Sequence, residues 1–234
     1  MAGKSGGRTL RSKAVSGAAA TVEATMSERG GLWRPLENPW VYEAFHHLIG
    51  ARRWLRRFAT DVVRPKAGDR ILDIGCGPGA LLRYSNNVSY IGLDRNEAYI
   101  ERGRAEFGTR GTFVCGDVAD FNSFGLPRVD IAVAIGVLHH LDDELATNVL
   151  KSTYETLKPG GRLVTADPCV HPEQDALQRF VVSRDRGMHV RPFDQYAEIC
   201  QSSFDNPVAT YSRGYAPFPY SICILQATRP PELR

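Results

Sequence analysis

The 234-residue chain has room for one ordinary α/β domain with an extension and too little for two full-sized domains. Its net charge of +3 is already reached in the first 25 residues, where Lys4, Arg8, Arg11 and Lys13 stand against Glu23 alone, so residues 26–234 sum to zero. A neutral body gives little support to nucleic-acid binding, which needs clustered Lys and Arg on one face. The five cysteines are odd in number and without CxxC spacing, which suggests neither a disulfide framework nor a structural metal site and fits a reducing cytosol.

In chain order, residues 1–31 are rich in Gly, Ala, Ser and Thr without usable period, and are expected to be a disordered tail. Their basic, nearly acid-free start also permits an organelle transit peptide, and Met26 could open a shorter chain. Residues 32–65 are read as a helical cap. Asn38-Pro39 has the signature of an N-cap with proline in the first turn, and Leu48, Ala51, Leu55, Phe58 and Val62 recur on one face until Pro65 stops the helix. Arg52, Arg53, Arg56 and Arg57 lie off that stripe and read as a solvated face.

From residue 70 onward, short apolar runs alternate with amphipathic segments. Strands are predicted at 70–74, 88–93, 112–115, 129–135 and 161–166, and helices at 79–85, 96–107 and 142–157, with 118–127 ambiguous. Runs that are apolar throughout suit strands buried on both faces, and alternation with helices suits parallel pairing through right-handed crossovers. Residues 168–203 break the alternation as a helical insertion, with helices at 172–184 and 192–203. Two β-rich runs, 207–212 and 219–228, close the chain as an antiparallel hairpin at the sheet edge. The expected fold is a three-layer α/β sandwich around a seven-stranded, mostly parallel sheet spanning 66–230. No apolar run reaches the roughly 18–20 residues of a membrane span, so a soluble, cytoplasmic protein without a membrane partner is expected.

The stretch ILDIGCGPGALL at 71–82 places three glycines and a proline directly after the first strand. Ligands of open α/β sheets sit beyond the carboxyl ends of the strands. Gly75 and Gly77 allow a tight turn against which a ligand can approach bare backbone, and Gly79 would open a helix whose free N–H groups favour a carboxylate or phosphate. Asp94, about twenty residues on in YIGLDRN, ends the second strand where a carboxylate can accept two ribose hydroxyls. Asp117 follows the third strand in FVCGDV, positioned to meet an adenine amino group. The loop reads GxGxG, whereas a dinucleotide site wants GxGxxG so that pyrophosphate lies along the helix start; Ala80 stands in the sixth place, which some dinucleotide folds tolerate, so the distinction rests on the later motifs and the terminal hairpin.

With VDIAVAIGVLHHLDD and LKPGGRLVTADP following in order, residues 66–228 resemble the Rossmann-like class I S-adenosylmethionine-dependent methyltransferases that act on small molecules. The resemblance implies S-adenosylmethionine as cofactor. Asp73, Gly75, Cys76, Gly77 and Gly79 would hold its methionine end, Asp94 and Arg95 its ribose, Asp117 and Val118 its adenine, and Ile135 would line the region of the sulfonium. The implied reaction moves the methyl group to an O or N atom of a small-molecule acceptor, with oxygen slightly favoured. Positioning would supply much of the catalysis, and a base is needed only where the acceptor carries a proton.

His139, His140, Asp167 and His171 are the candidates for that assistance. Tyr42, Arg191 and Tyr196 are the candidates for acceptor contact, and Arg184, Arg186, His189 and Arg191 in eight positions would suit an anionic acceptor, with Asp185 neutralising part of the charge. Asp142 and Asp143 are read as helix caps. The helical cap and the 168–203 insertion would together roof the pocket. Two alternatives share the loop: an NAD(P)-dependent oxidoreductase, and an inactive subunit that binds the cofactor and serves a partner. A nucleic-acid methyltransferase would carry an NPPY-type motif and a basic body, and neither is present.

Overall fold

A computed structural model describes residues 51–185, 187–213 and 219–232. The expected tail, the Asn38 cap, Leu48, Tyr42, Arg186 and the centre of the terminal turn lie outside the described residues.

The strands form where the sequence is apolar at consecutive positions. They are β1 (Arg70–Ile74), β2 (Ser89–Asp94), β3 (Gly111–Cys115), β4 (Val129–Ile135), β5 (Leu157–Val170), the two-residue β6 (Arg191–Pro192), β7 (Val208–Ser212) and β8 (Ile222–Thr228). The sheet order is β3-β2-β1-β4-β5-β8-β7, with β6 paired to β5 off that path. β1 to β6 pair in parallel, and β8 runs antiparallel to both β5 and β7. This is the expected mostly parallel sheet with an antiparallel terminal pair, plus β6 as an eighth strand.

β4 is central and buried on both faces. Ile131 and Val133 join Ile71, Val164 and Ile222 in one core cluster, while Ala132 and Ala134 join Leu72, Ile74, Leu163 and Leu225 in the other. Continuous apolar runs, rather than alternating ones, are what a sheet covered on both sides requires.

The helices are α1 (Ala51–Arg57), α2 (Glu97–Phe107), α3 (Asp143–Thr156), α4 (Ala176–Ser183) and α5 (Phe193–Gln201). Their starts are set by side chains that accept backbone N–H groups: Asn96 from Tyr99, Asp142 from Leu145, and Asp175 in a reciprocal box with Gln178. Asp142 is thus the cap expected for α3, whereas Asp143 pairs with Arg191.

Three expectations need correction. α1 runs on as a π-helical turn, Phe58–Val63, ending at left-handed Arg64. Phe58 of the predicted stripe is buried, and the wider turn buries Ala59 and Val63 beside it while Leu55 and Val62 are only half-buried. Arg162 donates to the carbonyls of Val62, Val63 and Arg64, satisfying that helix end. β5 has 14 residues rather than six, because Leu157 already pairs with Val129 ahead of a register irregularity and residues 167–170 go on to pair with β8 and β6. The helix predicted at 79–85 is a five-residue 3-10 turn, Ala80–Tyr84, and the ambiguous stretch is also 3-10, Val118–Phe124.

Candidate functional site

β1 leads across to β2 on one side of the sheet, and β4 leads to β5 on the other, so the chain's direction of travel reverses between β1 and β4. Such a switch point opens a crevice beyond the strand ends. Its floor is closely fitted. A Cβ added at Gly75, whose φ is +67°, would lie 2.5 Å from Val137 Cγ2, so the loop after β1 touches the turn after β4 there. Gly75 and Cys76 both donate to the Leu93 carbonyl, and Gly136 donates to Ala166, which ties the floor to β2 and β5.

The other two glycines differ in purpose. Gly79 (φ +79°) is wedged against Phe113, 2.7 Å from where its Cβ would be. Gly77 (φ +53°) has nothing within 4 Å of that position. Its left-handed backbone therefore faces open space, the place in this loop where a ligand can meet bare main chain.

Three acids surround the loop. Asp94 accepts the Gly77 N–H and the Asn96 N–H, both at 2.8 Å, one on each carboxylate oxygen. It thereby shapes the glycine turn, and burial raises its pKa against the pull of those two donors. Asp73 is buried, and the Tyr90 hydroxyl donates to its Oδ2 at 2.6 Å. Burial lifts Asp73 from 3.8 to about 7, the Tyr90 bond opposes this, and Asp94 adds to it. Asp117 caps the 3-10 turn at 118–124 by accepting from Ala119 at 2.9 Å. Val118 and Ile135 are half-buried, and Arg95 is exposed. The Cys76 side chain points into the core, with Sγ 2.7 Å from a Cβ placed on Gly92, so only its backbone belongs to the crevice.

Across the crevice, two of the four catalytic candidates, His139 and Asp167, are bonded to each other. His139 is 5% exposed and Asp167 fully buried. Asp167 Oδ1 accepts the His139 backbone N–H at 3.2 Å and lies 2.9 Å from its Nδ1. Asp185 Oδ1 lies 3.2 Å from the other ring nitrogen, Nε2. Burial pulls the imidazole down, but the hydrogen bonds to the two carboxylates outweigh it and raise His139 to about 9. Burial likewise raises Asp185, and the His139 bond overrides it, leaving Asp185 at about 2. Neither His139 nor Asp167 has the access that a base acting on an acceptor needs.

Arg191 and Tyr196 are also corrections. Arg191 is 3% exposed, pairs with Asp143 at 2.9 Å, and donates to the carbonyls of Leu138 and Leu141 at 2.6 Å. Tyr196 is buried and donates to Pro168. Both fasten the insertion to the sheet end. Among the remaining candidates, His140 is exposed beside His139, with ring centroids 4.1 Å apart. His171 is half-buried, stacks on Tyr211 at 3.9 Å, and accepts the Glu173 N–H through Nδ1.

The residues that sequence reasoning passed over are Tyr90, Val137, Gly187 and Tyr220. Tyr220 donates to Asp185 Oδ2. Asp185, expected to neutralise the neighbouring arginines, lies against the His139 ring instead. A separate groove of about 330 Å³ runs between residues 118–124 and α3, and it touches the predicted site only at Val118. Among the described residues no His, Cys, Asp and Glu cluster suits a metal ion, and no helix is long and apolar enough to cross a membrane.

Residues 71–161 match the family model described as "Methyltransferase domain". The 27-O-demethylrifamycin SV methyltransferase of Amycolatopsis mediterranei is 31% identical over 121 residues, covering 48% of this chain, and the chain spans 43% of that relative's length. The ubiquinone/menaquinone biosynthesis C-methyltransferase of Escherichia coli is 27% identical over 179 residues, covering 69% of this chain and 70% of the relative. Human N-acetylserotonin methyltransferase in complex with SAM has a similar fold, with TM-score 0.63, 16% identity, and coverage of 85% of this chain and 58% of that one.

Proposed function

We propose, for a chain whose residues 71–161 are a methyltransferase domain of the class I S-adenosylmethionine-dependent kind, that it transfers a methyl group from S-adenosylmethionine to a small-molecule acceptor bearing an ionisable hydroxyl. The observation that carries the reading is the open left-handed backbone at Gly77, fixed by the Asp94 carboxylate and bordered by buried Asp73. A crevice lined by acids and bare main chain suits a cationic ligand rich in hydroxyl groups. Asp73 would hold the ammonium end, the Gly75 to Gly79 backbone the rest of the methionine part, Asp94 and Arg95 the ribose, and Asp117 with Val118 the adenine.

When bound, the cofactor supplies a methyl group on a sulfonium, already activated for displacement. The protein's share is to orient the acceptor and exclude water, with proton removal by His140 or His171, the two candidates whose side chains are not buried. The predicted preference for an anionic acceptor loses its footing, because the Arg191 guanidinium is spent inside the protein. We therefore read the acceptor as neutral before it ionises.

Oxygen transfer is favoured by the rifamycin-acting relative's name, and carbon transfer by the quinone-pathway relative, which covers the larger share of this chain. Phenol or enol anions unite the two, since they are nucleophilic at oxygen and at the adjacent carbon. Carbon was not among the acceptor atoms expected from the sequence. The oxidoreductase alternative is disfavoured by the 3-10 turn after Gly79, because five residues of 3-10 helix offer pyrophosphate no α-helical N-terminus.

Calorimetric titration with S-adenosylhomocysteine, with NAD in parallel, tests the reading. Binding of the first alone is expected, weakened roughly 10- to 100-fold by Asp94→Ala through loss of charge-assisted bonds of about 1.5–3 kcal/mol. Binding of NAD, or of neither, would refute it. Labelled methyl transfer to a panel of phenols and quinols would then show which atom accepts.

A further inference from the structure

The turn Leu138–His140 is gripped from three directions. Its side-chain grip is His139, held at Nδ1 by Asp167 at the end of β5 and at Nε2 by Asp185 after α4. Its main-chain grip is the His139 carbonyl, which accepts the His189 N–H at 2.9 Å. Its third grip is Arg191 of β6, reaching the carbonyls of Leu138 and Leu141 on either side. Gly187 lies over the imidazole so closely that a Cβ there would fall 2.0 Å from His139 Cδ2. Gly187 also donates to Asp185 Oδ1 at 2.7 Å, and Tyr220, just ahead of β8, donates to Asp185 Oδ2.

The valence of this arrangement decides its charge. A neutral imidazole has one N–H and one bare nitrogen, whereas ionised carboxylates only accept. Two carboxylates on two ring nitrogens are therefore satisfied by an imidazolium with an N–H on each side, and a neutral ring would set a lone pair against an acid oxygen. Among the described residues, the charged or titratable groups that face the ring come from both sides of it. Asp167 and Asp185 flank it, the His140 ring lies alongside, His189 approaches through its main chain, Arg191 is neutralised by Asp143, and Tyr220 acts through Asp185.

We propose that His139 is a permanently protonated positioning residue, an ionic clasp that fastens the segment from Asp185 to Arg191 onto the turn after β4. The clasp joins β4, β5, the insertion and the lead into β8 in one body. Its adjoining residue Val137 presses on Gly75, so the fastening also braces the floor of the crevice. The inference about charge and fastening stands on geometry alone. Its bearing on acceptor placement rests on the function proposed above.

Histidine-labelled full-length protein should show His139 with both ring nitrogens protonated by ¹⁵N–¹H NMR at pH 7.5, and the charge should persist until the pH rises through about 9. A bare ring nitrogen at pH 7.5, or titration near the ordinary 6.5, would overturn the proposal. Trypsin cleavage within residues 184–191 provides the second arm. Asp185→Ala removes one carboxylate, and Gly187→Ala forces the segment off the ring without changing any charge. Both should speed cleavage by about tenfold or more, with Glu173→Gln as the unchanged surface control. Cleavage at the wild-type rate in both folded variants would mean that the segment is held by other contacts and would refute the clasp. Both arms read out without a cofactor, so their failure is separate from a failure to bind S-adenosylhomocysteine.

Discussion

Asp73 is the residue whose chemistry is most changed by where the chain puts it. Burial raises its carboxyl to about 7, against the Tyr90 hydroxyl bond and with help from Asp94. The folded protein thus keeps a proton that the unfolded chain releases near 3.8, and Asp73's contribution to stability falls as the pH rises from about 4 to 7. An ammonium group beside it would need the ionised form. Affinity for S-adenosylhomocysteine should therefore drop roughly tenfold per unit below pH 7 and level off above it. Titrations between pH 5.5 and 8.5 measure this, and a flat profile would take Asp73 out of the binding site. The motif announced the acid. It could not announce the tyrosine 17 residues away that shares its burial.

Among the elements, the loop after β1 separates packing from binding. Gly79→Ala would drive a methyl into Phe113 at 2.7 Å on a backbone with φ +79°, and should cost about 2–4 kcal/mol of stability, seen as a lower Tm. Gly77→Ala meets no atom, so only the left-handed backbone is penalised, by about 1–2 kcal/mol. Its methyl group would instead occupy the open face, and S-adenosylhomocysteine affinity should fall more than tenfold. Equal losses of affinity in the two variants would contradict this division.

The strands of this region were legible because their apolar runs are continuous; β1 and β4 begin and end where the pattern places them. The helix after Gly79 was not, since three apolar residues in ALLRY suit a 3-10 turn as well as an α-helix. The π-helical end of α1 was equally hidden, because one wider turn rotates the buried face without altering the composition. The arginine face of α1 was read correctly as exposed at residues 52, 53, 56 and 57.

At the scale of the whole molecule, the sequence order of motifs gave the parallel half of the sheet and its terminal hairpin, while the links across the sheet end escaped it. His139 finds Asp167 28 residues away and Asp185 beyond a helix, and Arg191 finds Asp143 at a separation of 48. Such pairs depend on three-dimensional register, which periodicity does not encode. This is why the buried contacts of His139 were not legible in the sequence.

The placement of β8 between β5 and β7 has a further consequence for synthesis on the ribosome. Until residues 222–228 emerge, the long strand β5 presents its outer backbone edge unpaired, the kind of template on which strands of other chains can grow. Some fifty residues separate the two strands, so at roughly 5–20 residues per second the nascent chain carries that open edge for several seconds. Ribosome-stalled chains halted before residue 221 should accordingly crosslink to chaperones or to one another, and chains released after residue 232 should not; equal crosslinking at both lengths would show that the insertion already shields β5 while translation continues.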